Sequence, residues 1–537
     1  MTRQTNLHSF LNLPFFTVLL GAASLLVFAV RSSPAQDPVG RAMTVLLRGP
    51  VHEALAEQFA RGVIPELLTT REPPERLREL PPEHQPEGIR IVWIPGYWAW
   101  DDEVEEFLWV SGLWRTAPPN HRWVPGAWVQ DTNGYRWVPG FWSPLDQESF
   151  SYLPLPPAKV GEGVLPIGRP PSREHFWVPG GWVYSDGAYR WRAGNWARGH
   201  DNWVWVPDRY IWSPAGAIYR PGYWDHRLIE RGILFAPVRF AEPIYTHRGF
   251  TYTPAHTLDL ARILPQLFVR PGYSHYYFGD YYDPVHRARG IYPWVRFQRD
   301  YRGFDPLYAD YWRRAYEEDD FLARVAQWHE YYTVNEALRP PRTLADQRLF
   351  ADRYAGSPRL LAGALLATGL QELAGRPGRW RFRTLSQPAR LATVEAAEPL
   401  VDLAERRSEA TPEIDPPPLQ LPELPPERVE VLRPILEVPD EEQPLERPEV
   451  EIPDELPAAE PDEIMPERPT PEKPEPVKPE PVKPEPVKPE PEKPEPVKPE
   501  PVKPEPEKPE PKQPEPEQPE PKQPEPKQPE PKQPEPE

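Results

Sequence analysis

Four side chains able to hold a divalent cation fall within twelve residues, His275, Asp280, Asp283 and His286, in the stretch HYYFGDYYDPVH. Imidazole nitrogen and carboxylate oxygen suit zinc and related ions. Their spacing matches no known ligand pattern, and tyrosine-rich loops often carry histidine for hydrogen bonding, so no metal is expected. A second group, Asp101, Asp102, Glu103, Glu105 and Glu106, has the residue type of a glycosidase pair. Five acids in one short run read more simply as a solvated turn. Nucleophile and cofactor motifs are absent: there is no G-x-S-x-G, no P-loop and no G-x-G-x-x-G, while His52-Glu53 and His329-Glu330 lack the second histidine of H-E-x-x-H. The absence of cysteine excludes thiol catalysis, disulfides, c-type haem, cysteine zinc sites and a lipid-bearing amino-terminal cysteine. No catalytic residue, cofactor or metal is assigned, and no enzyme activity is expected.

Tryptophan offers another chemistry, because its ring faces stack on the apolar faces of sugars. All 21 tryptophans lie between Trp93 and Trp380, 17 of them within residues 93–224. Most belong to a repeat, W-x-P-G-x-W. Its copies begin Trp93-Ile-Pro-Gly96-Tyr-Trp98, Trp109-Val-Ser-Gly112-Leu-Trp114, Trp123-Val-Pro-Gly126-Ala-Trp128 and Trp137-Val-Pro-Gly140-Phe-Trp142. Trp177-Val-Pro-Gly180-Gly-Trp182 and Trp191-Arg-Ala-Gly194-Asn-Trp196 follow, with degenerate copies Trp205-Val-Pro-Asp-Arg-Tyr210 and Tyr219-Arg-Pro-Gly222-Tyr-Trp224. The rings and the repeat glycines are therefore the candidate site residues, as a core or as a glycan platform. A cysteine-free exported domain needs them as core, so that role is favoured.

The elements that must position these rings follow from the spacing. Copies begin at 109, 123 and 137 and again at 177, 191, 205 and 219, a period of 14 residues, with a proline-rich insertion between the two runs. That period suits one strand plus a turn. Asp131-Thr-Asn-Gly134 and Ser185-Asp-Gly-Ala188 are hairpin sequences. The spacing predicts an antiparallel meander. Residues five apart on a regular strand face opposite ways, and a bulge at Pro-Gly would return Tyr135, Trp137 and Trp142 to one face. A rival arrangement makes V-P-G-x a type II turn with the two rings paired across it; it is weighed lower.

Around the repeat the chain divides by composition. Residues 1–36 read as a signal peptide or an uncleaved amino-terminal anchor: Arg3, then an apolar run from Phe15 to Val30, then Ser33-Pro34-Ala35. Residues 37–88 read as a proline-rich lead, with a short helix over 51–62 and linker over 72–87. The repeat domain spans 89–226. Residues 227–304 read as short aromatic strands and loops, with Arg270-Pro-Gly-Tyr273 as a decayed copy. Residues 305–410 read as helical, over 305–336 and 357–375. Residues 411–537 hold 43 of the 83 prolines and a net charge of −20, so the overall charge of −19 belongs to this tail. It reads as disordered polyproline II and as a spacer. Its acidity disfavours nucleic acid as a partner.

The W-x-P-G-x-W copies resemble the bacterial YXWGXW (WxxGxW) repeat family of exported proteins, with Tyr135 and Tyr189 standing for its tyrosine. RGPVHEALAE near residue 48, GILFAPVRFAEPIY near 232 and HYYFGDYYDP near 275 are similar to longer members, so the likeness covers roughly residues 45–345. It implies export and a β-rich repeat domain and transfers no catalytic residue. The tail is similar to the periplasm-spanning segment of TonB, without the folded domain that follows there. The expectation is a mainly β protein of the periplasm, envelope or medium, in contact with cell-wall or envelope components.

Overall fold

The computed structural model describes residues 43–57, 64–88, 90–158, 164–241, 243–300, 304–314, 321–409 and 418–420. The amino-terminal segment 1–36 and, apart from 418–420, the tail lie outside the described residues. The protein is mostly β, with antiparallel pairing throughout the repeat region and a few helices after it.

Each copy of the motif is two short strands separated by its Pro-Gly. Copies pair two by two, giving four hairpins. In the first, Trp93 pairs with Trp114 and Trp98 with Trp109 across a turn at 102–105. The second pairs Trp123 with Trp142 and Trp128 with Trp137. The third pairs Trp177 with Trp196 and Trp182 with Trp191. The fourth pairs Trp205 with Trp224 and Tyr210 with Tyr219. At the tip of the third, Asp186 and Gly187 both adopt left-handed φ (53° and 76°), the backbone that a tight two-residue turn demands.

The register corrects both readings of Pro-Gly. A bulge sets two residues against one. Here Pro95-Gly96 faces Ser111-Gly112, two against two, so the ladder breaks symmetrically and both strands kink together. The two rings of one copy do not pair with each other either; each pairs with a ring of the neighbouring copy. Seven Trp–Trp pairs result, with centroids 5.1–5.4 Å apart and planes at 61–79°. Edge-to-face pairs of this kind add about 0.5–1.5 kcal/mol each beyond buried area.

The kink lets a hairpin turn a corner between sheets. The outer halves of the first hairpin, Ile91–Ile94 and Leu113–Thr116, join Gly232–Phe235, His256–Leu258 and Ala367–Gly369 in a five-stranded sheet. Its inner halves, Tyr97–Asp101 and Glu106–Val110, join Val238–Phe240 and Met43–Val45 in a four-stranded one. Strand 232–240 breaks at Ala236-Pro237, level with the kink. Ser111 stands where other copies have proline, and its hydroxyl donates to Ala236 O at 2.8 Å.

Several boundaries differ from expectation. The lead is part of the fold: Leu68–Thr69 pairs with the second hairpin and His84–Pro86 with Phe382–Thr384. Its described residues 51–57 form no helix but a single turn, because their carbonyls are taken by arginines: Ala54 O by Arg115 and Leu55 O by Arg231. Arg270-Pro-Gly-Tyr273 is no repeat copy; it leads into the turn of the hairpin Leu267–Arg270 with His275–Phe278. The expected helix 357–375 is interrupted by strand Ala367–Gly369, fixed by pairing with His256–Leu258 and by Gln347, whose side chain binds Leu366 N, Ala367 N and Ala367 O. A long helix, Gln387–Ser408, packs Leu403 against Val124, Val138, Phe141 and Ile218. Past the expected edge of the tail, Leu419 joins the same cluster as Leu419–Gln420 pairs with Ser149–Phe150.

Candidate functional site: the paired kinks

A symmetric two-residue break frees backbone amides and carbonyls from the ladder, and buried groups of this kind need partners. In the first hairpin a buried glutamate of the lead supplies the acceptors. Glu79 accepts from Gly96 N at 2.8 Å, Gly112 N at 2.9 Å and the Trp109 indole N–H at 3.1 Å. Burial pushes its carboxyl pKa up, against the pull of those donors. In the second hairpin Glu53 plays the same part, accepting from the Trp137 indole at 2.8 Å and Gly140 N at 2.9 Å, with His275 Nε2 3.1 Å away.

The carbonyls take cations or imidazole. Both guanidinium nitrogens of Arg407, from the last helix, donate to the second kink, one to Pro125 O and one to Pro139 O at 3.0 Å. Burial lowers the Arg407 pKa to about 10. In the first kink, His52 Nδ1 accepts from Ala54 N at 3.1 Å, so Nε2 carries the proton and donates to Pro95 O at 3.2 Å. The third and fourth hairpins bring the cation within the motif. Arg192 reaches Pro179 O at 3.4 Å, and Arg220 reaches Pro207 O at 2.7 Å and Pro221 O at 3.0 Å.

The glycines have a steric role. None of Gly96, Gly112, Gly126, Gly140, Gly180 and Gly222 has a left-handed φ. A methyl group on each would instead strike the first tryptophan of the partner copy: Trp109 over Gly96, Trp93 over Gly112, Trp137 over Gly126, Trp123 over Gly140, Trp191 over Gly180 and Trp205 over Gly222, at 2.3–2.8 Å. The motif therefore pairs a ring on one strand with a missing side chain on the other. Gly194 sits across from Gly180, its amide 3.1 Å from the place a Gly180 methyl would occupy.

The candidate ring residues divide by position. Trp93, Trp98, Trp109, Trp114, Trp123, Trp137, Trp142 and Trp177 are buried; Trp128, Trp182, Trp191, Trp196 and Trp224 are half-buried. The other candidates do not assemble. His275 lies against Glu53, Asp283 caps helix Pro284–Ala288, and Asp280 sits 4.0 Å from Arg339 and Arg342. Among the described residues no group of three or more His, Asp or Glu is placed to hold a metal. The run at 101–106 is only partly solvated. Asp101 pairs with Arg48 at 3.3 Å and Arg239 at 2.7 Å, Asp102 with Arg270 at 2.5 Å, and Glu103 with Arg342 at 2.6 Å. It anchors the tip of the first hairpin; of its acids only Glu105 and Glu106 are exposed.

Glu53, Glu79 and Arg407 escaped sequence reasoning. Counting the amides and carbonyls that each Pro-Gly break would strand was the signal: it calls for acids and bases from outside the repeat. The fold also holds a cleft of about 1210 Å³ between the first two hairpins and helix Gln387–Ser408, walled by Trp93, Trp114, Trp123 and Trp142. Glu87 is the one carboxylate among its described lining residues.

These features define a class, a β-hairpin repeat protein whose unit is a kinked pair of motif copies. The model of the WXXGXW repeat, two copies to a match, fits residues 92–115, 119–143 and 175–197, which are the first three hairpins. The chain is a WXXGXW repeat-containing protein. No curated protein and no solved structure matches it.

Proposed function

We propose that the protein is a non-catalytic scaffold of the cell envelope, a rigid tryptophan-rich domain bearing a long charged proline spacer. The observation that carries this reading is the use of the rings. Eight of the thirteen candidate tryptophans are buried, and their faces pack on each other and on glycine rather than on open solvent. The apolar run at 15–30 and the tail supply export or anchoring and reach. Cell-wall or envelope components are the partners of this reading; nucleic acid and metal are not. Fractionation of cells expressing the full chain tests it: recovery in the cytosol would sink it.

A second reading is a glycan-binding module centred on the third hairpin, where Trp182, Trp191 and Trp196 are half-buried. Titration with purified cell-wall polysaccharide separates the two. A saturable blue shift of tryptophan emission, lost in W196A, favours binding. Emission already blue in the free protein and unmoved by glycan favours the scaffold.

A further inference from the structure

We propose that the cleft between the first two hairpins binds an acyl chain with an acidic head. Two crevices in the molecule are built alike. The first and second hairpins pack on each other as the third and fourth do. Phe107 meets Trp128 edge-to-face at 5.6 Å; Tyr189, at the register position of Phe107, meets Tyr210, at that of Trp128, at 5.4 Å. A helix then crosses the outer strands of each pair. Gln387–Ser408 lies on Ile91–Ile94 and His121–Val124, and Pro306–Arg314 lies on His175–Val178 and Trp203–Val206.

One crevice is filled and the other is open. Between the third and fourth hairpins a void of about 20 Å³ remains, room for about one water molecule. Between the first and second it is about 1210 Å³, above the roughly 300–1,000 Å³ of ordinary small-molecule pockets. Yet six lining positions are the same in register. Trp123 and Trp142 stand where Trp205 and Trp224 do, and Ala117 where Gly199 does. Phe176, whose ring meets Trp205 at 6.2 Å and Trp224 at 5.3 Å, is replaced by Val92. Trp203 is replaced by His121 and Val204 by Arg122. The two largest fillers have shrunk, and a cation has entered. The helices differ too. Phe304 and Pro306 lead the filling helix into its crevice. The other helix turns Ala389, Ala392 and Ala396 to the cleft, three and four residues apart on one face, side chains with no reach across the space.

The chemistry of the opening names its occupant. The larger apolar side chains that line it and keep some exposure are aliphatic: Ile91, Val92, Leu145, Leu385 and Leu400. The four tryptophans of its walls are 5% exposed or less, so they offer no open ring face to a sugar. Such a lining suits an alkyl chain. Arg90, Arg122 and Arg383 stand in it against one carboxylate among its described residues, Glu87. Arg383 is positioned by the Gln85 amide oxygen, at 2.7 and 2.9 Å, a neutral acceptor that leaves its charge uncancelled. The field in the cleft therefore favours an anion.

Calorimetric titration of the full-length protein tests this, with decanoate, dodecanoate, dodecyl phosphate and 1-dodecanol, each below its micelle or solubility limit. Dodecanoate is expected to bind saturably at one site, roughly fifteenfold tighter than decanoate, because each buried methylene is worth about fourfold. The neutral alcohol should bind more weakly, and R383Q should bring dodecanoate down towards it. Tighter binding of dodecyl phosphate than of dodecanoate names a phosphate head, and the reverse a carboxylate; either supports the site. V92F, which copies Phe176, and A396F, on the exposed helix face, should each weaken binding at least tenfold while leaving Tm and far-UV circular dichroism unchanged. Absence of saturable binding by every anion, equal affinity for 1-dodecanol and dodecanoate, or undiminished binding in whichever of V92F and A396F stays folded overturns the proposal.

Discussion

The second and fourth hairpins have the same register and the same kink, yet they close it differently. In the second, both sides of the break are served from outside, by Glu53 from the lead and Arg407 from the last helix. In the fourth, Arg220 of the motif itself covers both proline carbonyls, and its other nitrogen pairs with Glu57 at 2.8 Å. The second keeps every tryptophan and glycine of the motif; the fourth has lost two tryptophans, replaced by Tyr210 and Tyr219, and one glycine, replaced by Asp208. The intact motif of the second hairpin thus receives a buried carboxylate, whereas the degenerate fourth closes its kink with its own arginine.

Acid should break both hairpins together. His121 belongs to the second and His226 to the fourth, and burial lowers both pKa values to about 4. An unfolded chain protonates these rings near pH 6.5, while the folded one does so only near pH 4. Their contribution, whole above pH 6.5, is lost as pH falls, by roughly 3 kcal/mol each at pH 4 and below. Thermal melts from pH 7 to 4 check this, and a flat Tm would refute it.

The comparison sharpens with one substitution in each hairpin. E53A strands the Trp137 indole and the Gly140 amide and should cost about 3–5 kcal/mol in urea unfolding. The steric rule, by contrast, is common to both. G126A and G222A each put a methyl 2.3–2.4 Å from an indole edge, and each should cost about 1–3 kcal/mol. If G222A proved neutral, the ring-over-glycine rule would fail for the degenerate copies. D208A should have the smallest effect, below about 1 kcal/mol, because its partner Arg192 is substantially exposed. A cost equal to that of E53A would mean that the fourth kink also depends on a carboxylate.

Much of the repeat region was legible in the sequence. The 14-residue spacing and the Asp-Gly tip of the third hairpin mark strands and turns, because those signals are local. The identity of the partner ring was not legible: Trp93 meets Trp114, and only pairing of whole copies decides that. The lead was misread for a related reason. The apolar spacing in VHEALAE suits a helix, but its backbone is held by Arg115 and Arg231, whose contacts span 61 and 176 residues. Leu419, in a stretch whose composition is that of a tail, is buried by a partner still more distant in sequence, Phe150.

The placement of the two caps on the second kink sets an order of assembly. Glu53 is synthesised before the hairpin it enters, so the amides find their acceptor as soon as the strands pair. Arg407 is synthesised 282 residues after Pro125. A nascent chain that has completed the repeat still carries two bare proline carbonyls and the uncovered ring of Phe141, over which that guanidinium lies. The last helix therefore acts as a latch, and a chain cut short of residue 407 leaves its second hairpin half-closed.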